Sequence, residues 1–161
     1  MLILRFFIYG FLGWCTEILW TSLYNFIRSY LARGAPPEHL AERWRLVGQT
    51  YLWMLPIYGA GGLLFERVHE AVRVHPFWLR GLVYAVLCFA IEYISGWLLR
   101  RLTGRCPWDY SWAWLHIHGL IRPDYALAWM ALGLVFERLH NMLIRLGPCI
   151  SAAAECVLTQ P

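Results

Sequence analysis

Four glutamates in or beside long apolar segments are the residues whose types and spacing could do chemistry. They are Glu17, Glu66, Glu92 and Glu137. An ionised side chain at the centre of a bilayer costs about 2.5 to 3.5 kcal/mol on translocon scales, so four unpaired carboxylates would cost about 10 kcal/mol. That cost equals the stability of a whole domain. We therefore expect these carboxylates to be protonated, paired, or in contact with a wet cavity.

Two of these glutamates are followed by a histidine three residues later, which places both side chains on one helix face. The resulting order, Glu, Glu-x-x-His, Glu, Glu-x-x-His, is that of the ligands in ferritin-like di-iron bundles. One interpretation is a di-iron or other divalent-metal site. The other has no cofactor, with interfacial charges and histidines favoured by the helix dipole. The candidate ligands are Glu17, Glu66, His69, Glu92, Glu137 and His140.

The depth of the glutamates favours the interpretation without a cofactor. Counted from the flanking arginines Arg5, Arg73, Arg80 and Arg145, the carboxylates form two tiers about 7 Å apart at 1.5 Å per residue. Glu17 and Glu92 form the deeper tier. Di-iron ligands must lie at one level.

A second constellation follows the third apolar segment, where Cys106-Pro107-Trp108-Asp109-Tyr110-Ser111 precedes His116. In a structural interpretation, Asp109 and Ser111 satisfy backbone donors in a turn and the aromatic residues lie in the headgroup belt. In a functional interpretation, Asp109, Tyr110, Ser111 and His116 contact a polar substrate or relay a proton at the mouth of a cavity. Both interpretations stay open.

The segment Pro56-Ile57-Tyr58-Gly59-Ala60-Gly61-Gly62 carries a third signal. Proline frees a backbone carbonyl and glycine lets another helix approach, so we expect this segment to interrupt the second helix at mid-depth. Tyr58 lies near the level of Glu17, and a hydrogen bond between them would hold the carboxyl group neutral. The candidate substrate site therefore combines Glu17, Glu92 and Tyr58 with Asp109, Tyr110, Ser111 and His116.

Four apolar segments must position these residues. The chain of 161 residues is 60% hydrophobic and 15% charged, whereas soluble domains are about 25% charged. Segments of about 20 residues can cross the hydrocarbon core. We predict an all-α integral membrane protein, multi-pass in the cell membrane and forming a single domain over 1–161, with helices at about 3–27, 50–74, 78–101 and 123–146 and loops at 28–47 and 102–122.

An internal repeat relates the segments to one another. Residues 48–69 align without a gap on residues 119–140 with eight identities, most of them in the block G-L-x-F-E-R-x-H. Glu17 follows Arg5 by the same twelve residues that separate Glu92 from Arg80. We therefore predict a duplicated helical hairpin, with repeat units at about 3–74 and 78–146 and a pseudo-two-fold axis along the membrane normal.

The composition excludes several functions. All 14 basic residues are arginine, so an ATP-binding Gly-Lys-Ser/Thr loop and Schiff-base chemistry are excluded. The arginines form no basic stripe, which argues against a nucleic-acid partner and favours membrane lipids. Ten tryptophans leave surface for a homodimer or a partner membrane subunit.

The chain also resembles a known family. Pro56-Ile57-Tyr58-Gly59, the glutamates Glu17 and Glu92, and Trp108-Asp109-Tyr110-Ser111 are similar to the bacterial ABC-transporter permease type IV family, which is CmpB-like. The longer string Cys106–Ser111, with Ile57-Tyr58-Gly59 and Glu66-Arg67, is still more similar to its animal relatives, the transmembrane protein 229 group. The resemblance covers about Phe6 to His140 and implies a four-helix membrane protein labelled a permease, with no established reaction.

These observations lead to three hypotheses of function. The first is a permease-like membrane protein that binds and moves a small or lipid-like substrate at the intramembrane carboxylates, without an ATPase of its own. The second is a membrane-embedded lipid-modifying enzyme that uses the Glu and His metal ligands, or Asp109 with His116 as acid and base. The third is a structural subunit of a membrane complex. The sequence does not decide whether the chain is an enzyme.

Overall fold

The computed structural model describes residues 2–31 and 45–159. In these residues the secondary structure is helical: α1 spans Leu2–Leu31, α2 Met54–Val72, α3 Phe77–Thr103 and α4 Ala126–Thr159, with a 3₁₀ turn at Pro123–Tyr125 before α4. The all-helical prediction is confirmed. Most of the predicted 28–47 loop, residues 32–44, lies outside the described residues.

Three stretches are long and apolar enough to cross a membrane by length and composition. They are Leu2–Leu31, Phe77–Thr103 and Pro123–Ile150. The second helix has only 19 residues and carries Glu66, Arg67 and Glu70 in its second half. The described helices therefore include three candidate spans, and a fourth span stays a prediction.

The prediction that the Pro56 segment interrupts the second helix is wrong. Because α2 begins at Met54 and not at residue 50, Pro56 lies in its first turn and the helix continues to Val72. Proline is tolerated there because the first amides of a helix have no carbonyl partner within it. Pro56 therefore helps to begin α2.

The last helix is longer than expected. Gly147-Pro148 is a typical stop signal, and we predicted an end at 146, but α4 continues through Pro148 to Thr159. The run Ala152-Ala153-Ala154 follows, and alanine has the highest intrinsic helix propensity of any residue type. Local propensity after the proline explains the extension.

The chain divides into two compact units, Leu2–Gly62 and Leu63–Pro161, and the boundary lies inside α2. In the first unit α1 packs on the beginning of α2, where a Cβ on Gly62 would overlap the ring of Tyr9 and one on Gly59 would overlap Phe6. Glycine lets two helices approach closely, as in membrane bundles.

In the second unit α3 packs on α4 around Phe65, Tyr84 and Cys88. The Phe65 and Tyr84 rings stack with centroids 5.3 Å apart. A Cβ on Gly133 would overlap Tyr84, and Gly81 of α3 lies against Met130. Small residues again set the distance between the helices.

Candidate functional site

The most extensive buried polar cluster of the described residues is centred on Glu137 of α4. Its carboxylate accepts hydrogen bonds from Arg80 Nε at 2.8 Å and Arg80 Nη2 at 3.1 Å, and from the Tyr84 hydroxyl at 2.8 Å. Arg80 also donates from Nη1 to the carbonyl of His75 at 2.9 Å. The bidentate pair and the phenol therefore hold the Glu137 carboxylate in one orientation.

Two histidines complete this cluster in a reciprocal arrangement. His69 Nδ1 of α2 lies 3.4 Å from Glu137 Oε1 of α4, and His140 Nδ1 of α4 lies 3.4 Å from Glu66 Oε1 of α2. The two imidazole rings have their centroids 5.4 Å apart. All four side chains are buried. The two Glu-x-x-His motifs are thus brought together, each histidine beside the glutamate of the other motif.

The Glu137 carboxylate already has several hydrogen-bonding partners in this cluster. Tyr84 OH is within 3.1 Å of His69 Nδ1 as well as bonded to Glu137. An arginine, a phenol and an imidazole together offset the cost of burying this negative charge. Removing one partner would leave the charge incompletely paired. The cluster joins α2, α3 and α4 and is suited to holding them in register.

The six predicted metal ligands do not form one group within a unit. Glu17 belongs to the first unit, whereas Glu66, His69, Glu92, Glu137 and His140 belong to the second. Among the described residues no three His, Cys, Asp or Glu side chains are placed to hold an ion together. The metal site stays a prediction.

Glu92 on α3 is an incompletely bonded carboxylate. The Tyr110 hydroxyl donates to Glu92 Oε1 over a long 3.4 Å. The indole of Trp129 lies close enough to the same carboxylate for a weak hydrogen bond, but among the described residues neither Glu92 Oε2 nor Trp129 Nε1, both buried, makes a hydrogen bond of ordinary length and angle. Unsatisfied buried polar atoms are costly and call for an explanation.

Glu17 of the first unit has more hydrogen-bonding partners than Glu92. Thr50 donates its hydroxyl hydrogen to Glu17 Oε2 at 2.5 Å, and the Tyr58 side chain also hydrogen-bonds to this carboxylate. Because both partners donate, they stabilise the charged form of Glu17 and not the neutral form expected from the sequence. The segment that carries Thr50 is tied to α1 by further bonds, including Trp14 Nε1 to the Tyr51 carbonyl at 3.0 Å. This carboxylate therefore lies at the contact between α1 and the residues that lead into α2.

The loop 104–122 is built from the motif that the sequence singled out. Asp109 Oδ1 accepts the Ser111 amide at 2.9 Å and the Ser111 hydroxyl at 2.6 Å, and these bonds hold the pKa of Asp109 below its usual value. His116 Nδ1 accepts the Gly119 amide at 3.0 Å. The structural interpretation of Asp109, Ser111 and His116 accounts for each of these contacts.

Tyr110 connects this loop to the helices. Its backbone amide bonds the Gly119 carbonyl at 2.9 Å, while its hydroxyl reaches Glu92. Burial, and then the nearby Glu92 charge, raise the pKa of this phenol, so it stays a hydrogen-bond donor near neutral pH. Of the loop residues predicted for the substrate site, the structure brings Tyr110 to Glu92 of α3.

Sequence reasoning missed Arg80, Tyr84 and Trp129 as functional neighbours. Arg80 was used only to mark the membrane interface from which the depth of the glutamates was counted. Tyr84 follows Arg80 by four residues, as Tyr9 follows Arg5, and Trp129 aligns with Tyr58 in the repeat. Extending the repeat comparison to aromatic positions would have found both.

Comparison with known proteins gives one family-level match. The model of the family described as "Putative ABC-transporter type IV" matches residues 4–155, nearly the whole chain. No solved structure matches the chain.

Proposed function

Because the chain belongs to the putative ABC-transporter type IV family, we propose that this membrane transport-related protein binds a small or lipid-like substrate at an intramembrane carboxylate and moves it. The chain has no lysine and therefore no ATP-binding loop of its own. The proposal places it in the cell membrane as a multi-pass protein. The Cys106–Ser111 string supports its assignment to the transmembrane protein 229 branch.

A duplicated hairpin with four spans is part of this proposal. Gly62 lies against Tyr9 in the first unit and Gly133 against Tyr84 in the second, and these are aligned positions of the two repeats. The contact of Gly59 with Phe6 likewise corresponds to that of Met130 with Gly81, with the large and small partners exchanged. Equivalent contacts at equivalent positions are what two copies of one hairpin would make.

Glu92 is the carboxylate that we assign to substrate binding. The observation that carries this assignment is a pair of neighbouring buried atoms, Glu92 Oε2 and Trp129 Nε1, that interact weakly with each other and make no hydrogen bond of ordinary geometry among the described residues. One is an acceptor and the other a donor, so a polar ligand that approached both could bond to each. A buried group without its hydrogen bond is destabilising unless something else supplies the bond.

The repeat gives a reason why Glu92 is less satisfied than Glu17. Thr50, which donates to Glu17, aligns with Ile121 in the second copy. Isoleucine has no donor, and Tyr110 supplies only a long contact in its place. Glu92 in the second copy therefore has acceptor capacity that Glu17 in the first copy has already used in its bond with Thr50.

The two tiers of carboxylates then have different roles. Glu137 is held by Arg80, Tyr84 and His69, so it serves the packing of the helices. An unpaired ionised carboxylate inside a membrane is expensive, and in Glu92 that cost makes binding of a proton or of a polar ligand favourable. We propose that substrate movement depends on protonation of the deeper tier.

The test is to identify what co-purifies with the protein. The full chain is purified in parallel as wild type, as Glu92→Gln and as Glu70→Gln, and bound small molecules and lipids are identified by mass spectrometry. Glu70 is a matched control because it lies on the exposed side of α2, where it pairs with Arg73 at 3.4 Å. Glutamine keeps the size of the side chain and removes its charge.

We expect a compound that is present with wild type and Glu70→Gln and is depleted about tenfold with Glu92→Gln, which corresponds to about 1.4 kcal/mol. The same profile in all three preparations would contradict the assignment of Glu92. Once the compound is known, uptake into proteoliposomes should be lost in Glu92→Gln, and retained uptake would contradict the carboxylate mechanism.

A further inference from the structure

An open groove lies at the end of α3, where the helix meets the loop 104–122. Its volume is about 440 Å³. Four of its residues come from α3, in pairs three or four residues apart that are neighbours on the helix surface, and two come from the loop. The lining residues are Tyr93, Trp97, Arg100, Arg101, His118 and Leu120.

The helical wall of the groove presents two guanidinium groups. Arg101 lies over the ring of Trp97, with 5.3 Å between its Cζ and the ring centroid. This cation–π contact orients the planar guanidinium, whose N–H groups suit a phosphate oxygen pair. Arg100 adds a second positive charge beside it, in the last turn of the helix.

The loop wall is held in place by the same helix. His118 has a positive φ of 53°, a conformation that is uncommon for residues other than glycine. Tyr93 OH lies 2.9 Å from His118 Nδ1, and Arg100 Nη1 donates to the His118 carbonyl at 3.1 Å. Two bonds to one strained residue fix the loop against α3, so the groove is formed before a ligand arrives.

The charge of the groove determines what it can take. No carboxylate is among its lining residues in the described part of the chain. Asp109, the acidic group of the adjoining loop, is bonded to Ser111. The neighbouring positions Leu98 and Leu102 on α3 are 47% and 72% exposed, so apolar surface flanks the cationic groove. A ligand with an anionic head and apolar tails fits both.

We propose that this groove binds the phosphate headgroup of an anionic phospholipid. Arg101 and Arg100 contact the phosphate, Trp97 lies at the level of the headgroups as tryptophan does at membrane interfaces, and the acyl chains follow the exposed leucines of α3. Basic pockets at the ends of membrane helices bind anionic headgroups in this way. This site is separate from Glu92 and does not depend on its role.

The experiment measures lipid binding to the full chain in detergent micelles by native mass spectrometry. The probes are dioctanoyl phosphatidylglycerol, dioctanoyl phosphatidylcholine and inorganic phosphate. The variants are Arg101→Gln and Arg101→Lys. Arg105→Gln is the matched control, since it removes the same charge from an exposed residue of the loop that does not line the groove.

We expect phosphatidylglycerol to bind in preference to phosphatidylcholine, and Arg101→Gln to weaken its binding about fivefold, the usual contribution of one arginine near an anionic surface. Arg101→Lys should retain part of the affinity, because it keeps the charge and loses the planar contact with Trp97. Arg105→Gln should bind as wild type does.

Three results would overturn the proposal. Equal binding of both lipids would remove the role of charge. Equal losses in Arg101→Gln and Arg105→Gln would mean a diffuse electrostatic attraction instead of a site. Competition by inorganic phosphate at the affinity of the lipid would mean that the ligand is free phosphate. Arg101→Lys keeps the test valid if the glutamine variant does not fold.

Discussion

Tyr84 of α3 donates a hydrogen bond of 2.8 Å to Glu137 of α4, and its side chain is fully buried. The same phenol oxygen lies 3.1 Å from His69 Nδ1 of α2. One side chain therefore connects three helices of the second unit. Loss of the Tyr84 hydroxyl should therefore lower the stability of the protein.

We expect Tyr84→Phe to lower the free energy of unfolding by about 1 to 3 kcal/mol, since it leaves a buried acceptor with one donor fewer. Arg80→Gln should cost more, about 3 to 5 kcal/mol, because it removes the charge that compensates Glu137. Denaturation of the purified protein, followed by tryptophan fluorescence, measures both. Arg138→Gln is the control, as Arg138 is exposed on α4. Equal effects of Arg80→Gln and Arg138→Gln would contradict the role of the cluster.

Gly133 sets the distance between α3 and α4. A Cβ at this position would overlap Cβ and ring atoms of Tyr84, and the Cβ of Tyr84 cannot turn away as a flexible side-chain end can. Overpacking costs typically about 1 to 3 kcal/mol, so Gly133→Ala should destabilise the protein although alanine favours helix. Ala131→Val, which adds bulk at an exposed position of α4, should have a smaller effect. A stabilised Gly133→Ala would contradict this packing.

Thr50 satisfies Glu17 in the first unit. Thr50→Val removes the hydroxyl that donates to Glu17 Oε2 while keeping the shape of the side chain, and should cost about 1 kcal/mol, the scale of polar contacts in membrane proteins. Thr16→Val is matched to it, because Thr16 bonds only the Leu12 carbonyl of its own helix at 2.8 Å in the described contacts. Thermal denaturation should rank Thr50→Val below Thr16→Val, and the reverse order would refute the assignment.

Asp109 gives the loop a pH dependence. Its pKa lies below the usual 3.8, first because of the Ser111 hydroxyl and then because of the Ser111 amide. A lowered pKa means that these bonds contribute fully above the usual value and are lost as the pH falls through the lowered one. The amide resonance of Ser111, observed by NMR in serine-labelled protein, should therefore shift during acidification below pH 3.8.

Asp109→Asn separates this titration from general acid unfolding. Asparagine keeps an oxygen that accepts from Ser111 but carries no titratable group. The acid-induced shift of the Ser111 amide should be absent in this variant. The same transition in both proteins would show that another group causes it.

The sequence by itself determined the helical class, the segments of α1, α3 and α4 that are long and apolar enough to span a membrane, and the family. Each follows from local information: apolar runs of about 20 residues need no tertiary contact to be recognised, and the W-D-Y-S string at Trp108–Ser111 is contiguous. The expected contact of Tyr58 with Glu17 also came from counting residues along straight helices. Such counting works because the rise of an α-helix is constant.

Only the tertiary structure decided which carboxylates are satisfied. Glu92 and Glu137 are both candidate carboxylates in the sequence, but Arg80 and Tyr84 bond to Glu137 while Glu92 Oε2 has no such partner among the described residues. The start of α2 at Met54 likewise changed Pro56 from an interruption into part of a first turn. Spacing fixes the height of a side chain along its helix, whereas the rotation and packing of neighbouring helices determine what it touches.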